Sequence, residues 1–81
     1  MKVEFRRTFE KDLIKFQDKA LLNQIKSAIE AVERADTLDG VNNIKKLKGE
    51  DSYFRIRLGN YRIGLFAQEG VIPFVRILHR R

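Results

Sequence analysis

The sequence predicts an α+β domain in which two helices cover one face of an antiparallel sheet. Apolar residues in the first half of the chain recur at helical spacing, whereas in the second half they alternate with polar residues. A short alternating segment precedes the helices, and turn residues separate the later strands. Because 81 residues are too few for two hydrophobic cores, we expect one domain over residues 1–81.

The chain begins with a predicted strand and a predicted helix. Residues 2–5 alternate polar and apolar side chains, as a short strand does. Thr8 is a suitable N-cap for a helix that continues to about Gln17. The apolar stripe of this helix consists of Phe9, Leu13 and Phe16.

A second helix completes a predicted helical hairpin with one apolar side. Asp18 is a suitable N-cap, and the amphipathic pattern ends near Ala35. The apolar face consists of Leu22, Ile25, Ile29 and Val32. Residues 36–43 are polar and predict a loop, whose end is held to the core by Ile44 and Leu47.

The second half of the chain predicts a three-stranded antiparallel meander after a turn at residues 49–52. Its strands are residues 53–58, 61–68 and 71–78. Gly59-Asn60 is typical of a two-residue hairpin loop, and Glu69-Gly70 marks the next turn. Pro73 has no amide hydrogen for a ladder, so we expect it at a sheet edge or at a bulge.

The positive charge lies in the second half. Residues 1–44 hold eight basic and eight acidic side chains, whereas residues 45–81 hold nine basic and three acidic ones. The whole formal charge of +6 therefore belongs to the second half. Such asymmetry predicts a polyanionic partner, which is a nucleic acid, an anionic membrane surface or an acidic protein.

Hairpin register predicts that three arginines share one face of the sheet. A two-residue loop at Gly59-Asn60 places Arg57 opposite Arg62, with Arg55 on the same face. Like charges opposite each other destabilise a ladder, so this arrangement indicates a functional requirement. Three guanidiniums without an interleaved carboxylate form a surface suited to phosphate.

Extension of this register across the second turn predicts the faces of the last strand. It places His79 and Arg81 on the arginine face and Arg76 opposite Ile63 on the helix side. A one-residue slip or a bulge near Pro73 reverses these assignments.

Several classes of protein are excluded by composition. The absence of Cys excludes disulfides, iron–sulfur clusters and a thiol nucleophile, and a single His disfavours a zinc site. The second half contains too few carboxylates for a paired-carboxylate or metal site. The sequence contains no run of about 20 apolar residues and no secretory h-region, so we expect a cytoplasmic protein with no membrane-spanning segment and no membrane among its partners once the family resemblance below is considered.

Three runs of the sequence resemble the RelE/ParE superfamily, the toxins of bacterial and archaeal type II toxin–antitoxin systems. The runs are Lys46-Leu47-Lys48-Gly49, residues 53–62 (YFRIRLGNYR) and residues 75–81 (VRILHRR). The order of strand, two helices and meander also matches, so the resemblance covers nearly the whole chain. The terminal His-Arg-Arg is typical of the RelE side of the superfamily.

This resemblance implies a ribosome-dependent mRNA endonuclease that needs no metal or other cofactor. In such enzymes a ribose 2′-OH attacks the adjacent phosphate. The implied catalytic residues are Arg55, Arg57, Arg62 and Arg81, with Arg62 and Arg81 neutralising transition-state charge. The residues expected to bind RNA are Lys46, Lys48, His79 and Arg80. Because arginine is a poor proton acceptor, the base remains open among His79, Lys48 and the ribosome.

Many RelE-like toxins continue past the basic run to a Tyr that assists catalysis, whereas this sequence ends at Arg81. A truncated chain, an attenuated toxin and a dispensable Tyr are all compatible with this difference. The resemblance also implies a cognate antitoxin as partner, besides ribosome and mRNA.

The sequence is compatible with two other functions. A ParE-like inhibitor of DNA gyrase shares the fold and cuts nothing. A plain RNA-binding module has less support, since Tyr53 and Phe66 are the only candidates for an exposed aromatic pair that stacks on bases.

Overall fold

The computed structural model describes residues 1–49 and 52–80, and the α+β class is confirmed. Within these residues the elements are β1 (Val3–Phe5), α1 (Arg7–Leu13), α2 (Lys19–Arg34), a 3-10 turn (Leu38–Gly40), β2 (Ile44–Lys46), β3 (Tyr53–Leu58), β4 (Tyr61–Phe66) and β5 (Ile72–His79). The strands form one sheet in the order β1-β5-β4-β3-β2. Its pairings are antiparallel except for the parallel pair β1–β5.

The core lies between the helices and one face of the sheet. Its buried apolar side chains include Phe9, Leu21, Ile25, Val32, Ile56, Ile63, Leu65, Phe74 and Ile77. Alternate residues of β3 and β4 face this core because strand side chains point to opposite faces in turn. Within residues 1–49 and 52–80, no helix covers the other face of the sheet.

Helix α2 has the N-cap that the sequence predicts. The Asp18 carboxylate accepts hydrogen bonds from the amides of Ala20 at 2.9 Å and Leu21 at 3.2 Å. The buried stripe is shifted from the predicted one, however, since Leu21 is buried and Leu22 is only partly so. No described helix is long and apolar enough to cross a membrane.

Helix α1 differs from its prediction at both ends. It begins at Arg7 and ends at Leu13 rather than near Gln17. The predicted cap is wrong, because the Thr8 hydroxyl donates to the carbonyl of Val75 at 2.6 Å. Strand β1 pairs with β5 only as far as Phe5. Helix α1 continues along the same edge of β5, where it binds backbone groups that β1 does not reach.

Residues 44–46 form an edge strand where the sequence predicts the end of a loop. Ile44 pairs with Ile56 and Lys45 with Arg55, which gives β3 a second neighbour. The turn into β2 is made by Asn43 at φ 64, a left-handed conformation that asparagine tolerates better than most residues. The sheet therefore has five described strands, one more than the strand-plus-meander prediction.

The prediction of an edge position for Pro73 is wrong, but that of a nearby bulge is confirmed. Strand β5 is central, between β1 and β4, and Pro73 is fully buried. The register of β5 against β4 shifts beside it, because Gly64 pairs with Arg76 whereas Leu65 pairs with Phe74. Pro73 is tolerated because its missing amide lies next to this irregularity, where a regular ladder is already interrupted.

Candidate functional site

Basic side chains from the four neighbouring strands β2 to β5 meet on the sheet face that points away from the core. Directly paired residues share a face, and the pairs Arg57–Arg62, Arg55–Gly64, Lys45–Arg55 and Gly64–Arg76 are observed. We call the set Lys45, Arg55, Arg57, Arg62 and Arg76 the basic face. The predicted convergence of the hairpin arginines is therefore observed, and the opposition of Arg57 and Arg62 is confirmed.

A shallow cleft of about 330 Å³ lies within the basic face. It is lined by Asn43, Ile44, Lys45, Arg55, Arg57 and Arg62. Within residues 1–49 and 52–80, neither Arg55, Arg57 nor Arg62 forms an ion pair with a carboxylate. A cleft bordered by four cations without a balancing anion favours a phosphate group as its occupant.

The Arg62 side chain is held by its own hairpin. Its Nη1 donates to the carbonyls of Gly59 and Tyr61, both at 3.0 Å. Loss of water lowers the pKa of Arg62 below its ordinary value, and repulsion from Arg57, Arg55 and Arg80 adds to this effect. An anion bound at this position would relieve the repulsion, which makes Arg62 the centre of the candidate site.

Arg76 lies on the basic face rather than on the helix side, so that part of the register prediction is wrong. The bulge at Val75 reverses the alternation of β5 and places Arg76 opposite Gly64. Its Nε donates to Asp12 Oδ2 at 2.8 Å and its Nη2 to Asp12 Oδ1 at 3.3 Å. This two-point contact fixes the guanidinium at the margin of the basic face.

Asp12 connects α1 to the edge of β5. Its carboxylate is buried and also accepts the amide hydrogen of Ile77 at 2.9 Å. Burial alone raises the pKa of Asp12, but the hydrogen bonds from Arg76 and the Ile77 amide outweigh it, so the pKa lies below 3.8. Asp12 and Thr8, one helical turn apart, together bind the β5 edge beyond the end of β1.

An aromatic pair borders the arginines on the same face. Tyr53 pairs with Phe66 across β3 and β4, and their rings meet edge to face at 4.9 Å. The Tyr53 ring extends over Gly64, where an added Cβ would lie 1.8 Å from the phenol oxygen. Burial raises the pKa of Tyr53 above 10.0, although Arg55 and Arg76 act in the opposite direction.

The predicted face of His79 is wrong. His79 pairs with Tyr61, which packs against the core, and the two rings meet at 5.1 Å. The bulge that moves Arg76 onto the basic face moves His79 off it. Arg80 follows β5, and its backbone amide donates to the backbone carbonyl of Asn60 at 2.6 Å. Its charge contributes to the lowered pKa of Arg62, so Arg80 lies near the basic face.

The lysines before β3 also differ from expectation. Lys46 pairs with Phe54 and so lies on the helix side, whereas Lys45 faces the cleft. The exposed Lys48 lies in the turn after β2. Arg81, predicted to be catalytic, lies outside the described residues. A metal site is not apparent, because residues 1–49 and 52–80 contain no group of three or more His, Cys, Asp or Glu side chains placed to share an ion.

Two comparisons with known proteins indicate the same superfamily for this chain. Residues 3–81 match the family described as "ParE toxin of type II toxin-antitoxin system, parDE". The chain is 44% identical to Toxin RelE3 of Methanocaldococcus jannaschii, over 100% of this chain and 92% of that protein.

Solved structures agree. The toxin in the RelB–RelE antitoxin–toxin complex from Methanococcus jannaschii is 42% identical, with a TM-score of 0.81 over 94% of this chain and 88% of that one. The YoeB dimer from Staphylococcus aureus also has a TM-score of 0.81, over 100% of this chain and 98% of that one. At 19% identity, YoeB supports the fold alone.

Proposed function

Since the chain belongs to the RelE/ParE superfamily of type II toxins, we propose that it is a ribosome-dependent mRNA endonuclease. The observation that supports this proposal most is the cleft of the basic face. There Arg55, Arg57 and Arg62 converge without a carboxylate partner among the described residues. A rigid array of guanidiniums suits a reaction in which negative charge grows on a phosphate.

The proposed reaction is an attack of a ribose 2′-OH on the adjacent phosphorus. The new P–O2′ bond gives a 2′,3′-cyclic phosphate, and the P–O5′ bond breaks, so that the departing 5′-oxygen takes a proton from solvent or the ribosome and leaves as a 5′-OH. In the transition state, excess charge lies on the non-bridging oxygens. Arg62, held by two backbone carbonyls, is positioned to bind these oxygens together with Arg57 and Arg55. We propose the same role for Arg81.

The arginines stabilise charge in this proposal and do not transfer the proton. A guanidinium remains protonated at neutral pH even when neighbouring charges lower its pKa. His79, one of the alternative bases, lies on the helix side of the sheet beside Tyr61. The proposal therefore needs the 2′-OH proton to be accepted by Lys48, solvent or a group of the ribosome.

We further propose that an antitoxin protein binds this toxin. The similar chain from Methanococcus jannaschii was solved in a complex with its antitoxin. The second half of the present sequence has an excess of six positive charges. An acidic antitoxin segment on the basic face would neutralise this charge and block access of RNA to the cleft.

Mapping of mRNA ends in a translating extract tests the proposed activity. With the purified toxin added, we expect new 5′ ends inside ribosome-bound codons. The same mRNA without ribosomes should remain intact. Cleavage that does not depend on ribosomes, or no cleavage at all, would contradict the proposal.

Gyrase inhibition is the second candidate function, because the matching family is described as a ParE toxin. In that case the basic face would contribute to protein binding only. A supercoiling assay with purified DNA gyrase separates the two functions. Intact mRNA together with inhibited supercoiling would establish the gyrase function instead.

Affinity for ribosomes should fall steeply with salt concentration. Each phosphate bound by Lys or Arg releases counterions, so the logarithm of affinity declines linearly with the logarithm of salt. We expect a slope of about −2 to −4 from the cations around the cleft, with about −0.7 for each single-stranded contact. Sedimentation of toxin with ribosomes across a potassium chloride series measures it. A flat response would rule out phosphate binding by the basic face.

A further inference from the structure

We propose that Tyr53 and Phe66 form a nucleobase-binding platform beside the arginine cleft, so that one RNA base stacks on Tyr53 while its neighbouring phosphate binds the arginines. This inference deepens the proposed function, since it concerns the same RNA on the same face. It rests on Tyr53, whose side chain reaches over Gly64. Phosphate binding by the arginines does not require an aromatic side chain at this position.

The position of the aromatic pair fits a base next to a bound phosphate. Tyr53 and Arg55 are two residues apart on the same strand, which separates their Cα atoms by roughly 7 Å. On this face of β3, Tyr53 is therefore the direct neighbour of Arg55, which lines the cleft. Its phenol is close enough to Arg55 and Arg76 for their charges to act on it.

Gly64 leaves room for the phenol end of Tyr53 beside β4. Every other residue at this position would place a Cβ 1.8 Å from the phenol oxygen, a distance at which the ring must move. Phe66 closes one end of the ring by an edge-to-face contact at 4.9 Å. The phenol end of Tyr53 therefore lies against Gly64 and its ring against Phe66, and these two contacts limit the motion of the side chain, which lowers the entropic cost of stacking.

The chemistry of the surface favours RNA as the ligand. Aromatic rings on a sheet face surrounded by Arg and Lys bind single-stranded nucleic acid by stacking and by phosphate contacts. A tyrosine phenol is uncharged at neutral pH and so does not repel phosphate, and burial raises the pKa of Tyr53 further. A phenol hydroxyl is also a hydrogen-bond donor of the kind that base and phosphate oxygens accept.

A double-mutant cycle between protein and RNA tests the platform. The probes are a single-stranded RNA hexanucleotide, which the toxin should leave intact in the absence of ribosomes, and six versions of it with one abasic position each. The proteins are the wild type and Tyr53→Leu. We expect Tyr53→Leu to weaken binding of the intact RNA about ten-fold, as does one of the abasic changes. When Tyr53→Leu binds the RNA that is abasic at that position, the combined loss of affinity should be smaller than the sum of the two single losses.

Three further variants test whether the coupling depends on the ring of Tyr53 and on its position. Tyr53→Phe should retain the coupling, because the ring remains. Gly64→Ala should reduce it although both aromatic rings are still present, because the new Cβ displaces Tyr53. Phe54→Leu is the matched control, since Phe54 neighbours Tyr53 but packs against the core on the other face. It should leave the coupling unchanged.

A measurement on the wild type alone covers the case in which a variant does not fold. A 2-aminopurine placed at the coupled position should lose fluorescence on binding, as stacked bases do. Additive losses at every abasic position, or no quenching at any position, would overturn the platform. If Tyr53 and one base are coupled but the toxin cleaves no mRNA, the platform is supported and the endonuclease function is refuted. If the toxin cleaves mRNA but no base is coupled to Tyr53, the endonuclease function is supported and the platform is refuted.

Discussion

Replacing Arg62 with alanine is expected to reduce ribosome-dependent mRNA cleavage by about 100-fold or more while the fold persists. Removal of one preorganised donor to a transition-state oxyanion typically costs about 10²–10³ in rate. Arg62 is the best candidate for such a donor, because two backbone carbonyls hold its guanidinium beside Arg55 and Arg57. Single-turnover cleavage of mRNA on programmed ribosomes measures the effect.

The control for Arg62→Ala is Arg34→Ala. Arg34 is an exposed residue at the end of α2, so its removal changes the net charge equally but leaves the basic face intact. We expect near wild-type cleavage by this variant and unchanged circular dichroism for both. Equal activities of the two variants would show that Arg62 contributes only general positive charge.

Replacing Asp12 with alanine is expected to lower the free energy of unfolding by about 2 to 4 kcal/mol at pH 7. The change removes the acceptor for the buried Ile77 amide and for Arg76, and an orphaned buried donor costs about 1 to 3 kcal/mol by itself. Urea unfolding followed by circular dichroism measures the difference. Glu10→Ala is the matched control, because Glu10 is exposed on the same helix.

The effect of Asp12→Ala should depend on pH in a defined direction. The folded state holds the pKa of Asp12 below its ordinary 3.8, so the ionised carboxylate stabilises the fold above about pH 3.8. That contribution disappears as the pH falls through the folded pKa. The stability gap between wild type and variant should therefore be constant near neutrality and shrink below pH 4. A gap that widens in acid would refute the assigned contact.

Sequence patterns correctly predicted those elements that depend on interactions between residues close together in the chain. The two-residue loop at Gly59-Asn60 fixes the pairing of β3 with β4, and Asp18 caps α2 as its sequence indicates. Strand β2 was missed because three residues give little periodicity, and it exists through pairing with the edge of β3. The central position of β5 depends on parallel pairing with β1, a contact between the two ends of the chain.

A single bulge explains most errors at the candidate site. The alternation of β5 changes at Val75, so Arg76 and His79 exchange faces relative to an unbroken register. The sequence indicated a bulge near Pro73 but not its position to one residue. Asp12 did have a recognisable sequence pattern, because it lies three residues after Phe9 within the apolar stripe, where a carboxylate needs a cationic partner.

The central claim, that the basic face promotes 2′-OH attack on an mRNA phosphate, is tested most directly by one substitution in the substrate. An mRNA with 2′-deoxyribose at the cleaved nucleotide should resist the toxin on the ribosome. The matched all-ribose mRNA should give a 2′,3′-cyclic phosphate and a 5′-OH at the same bond. Cleavage of the deoxy substrate, or a product with a 5′-phosphate, would contradict the account.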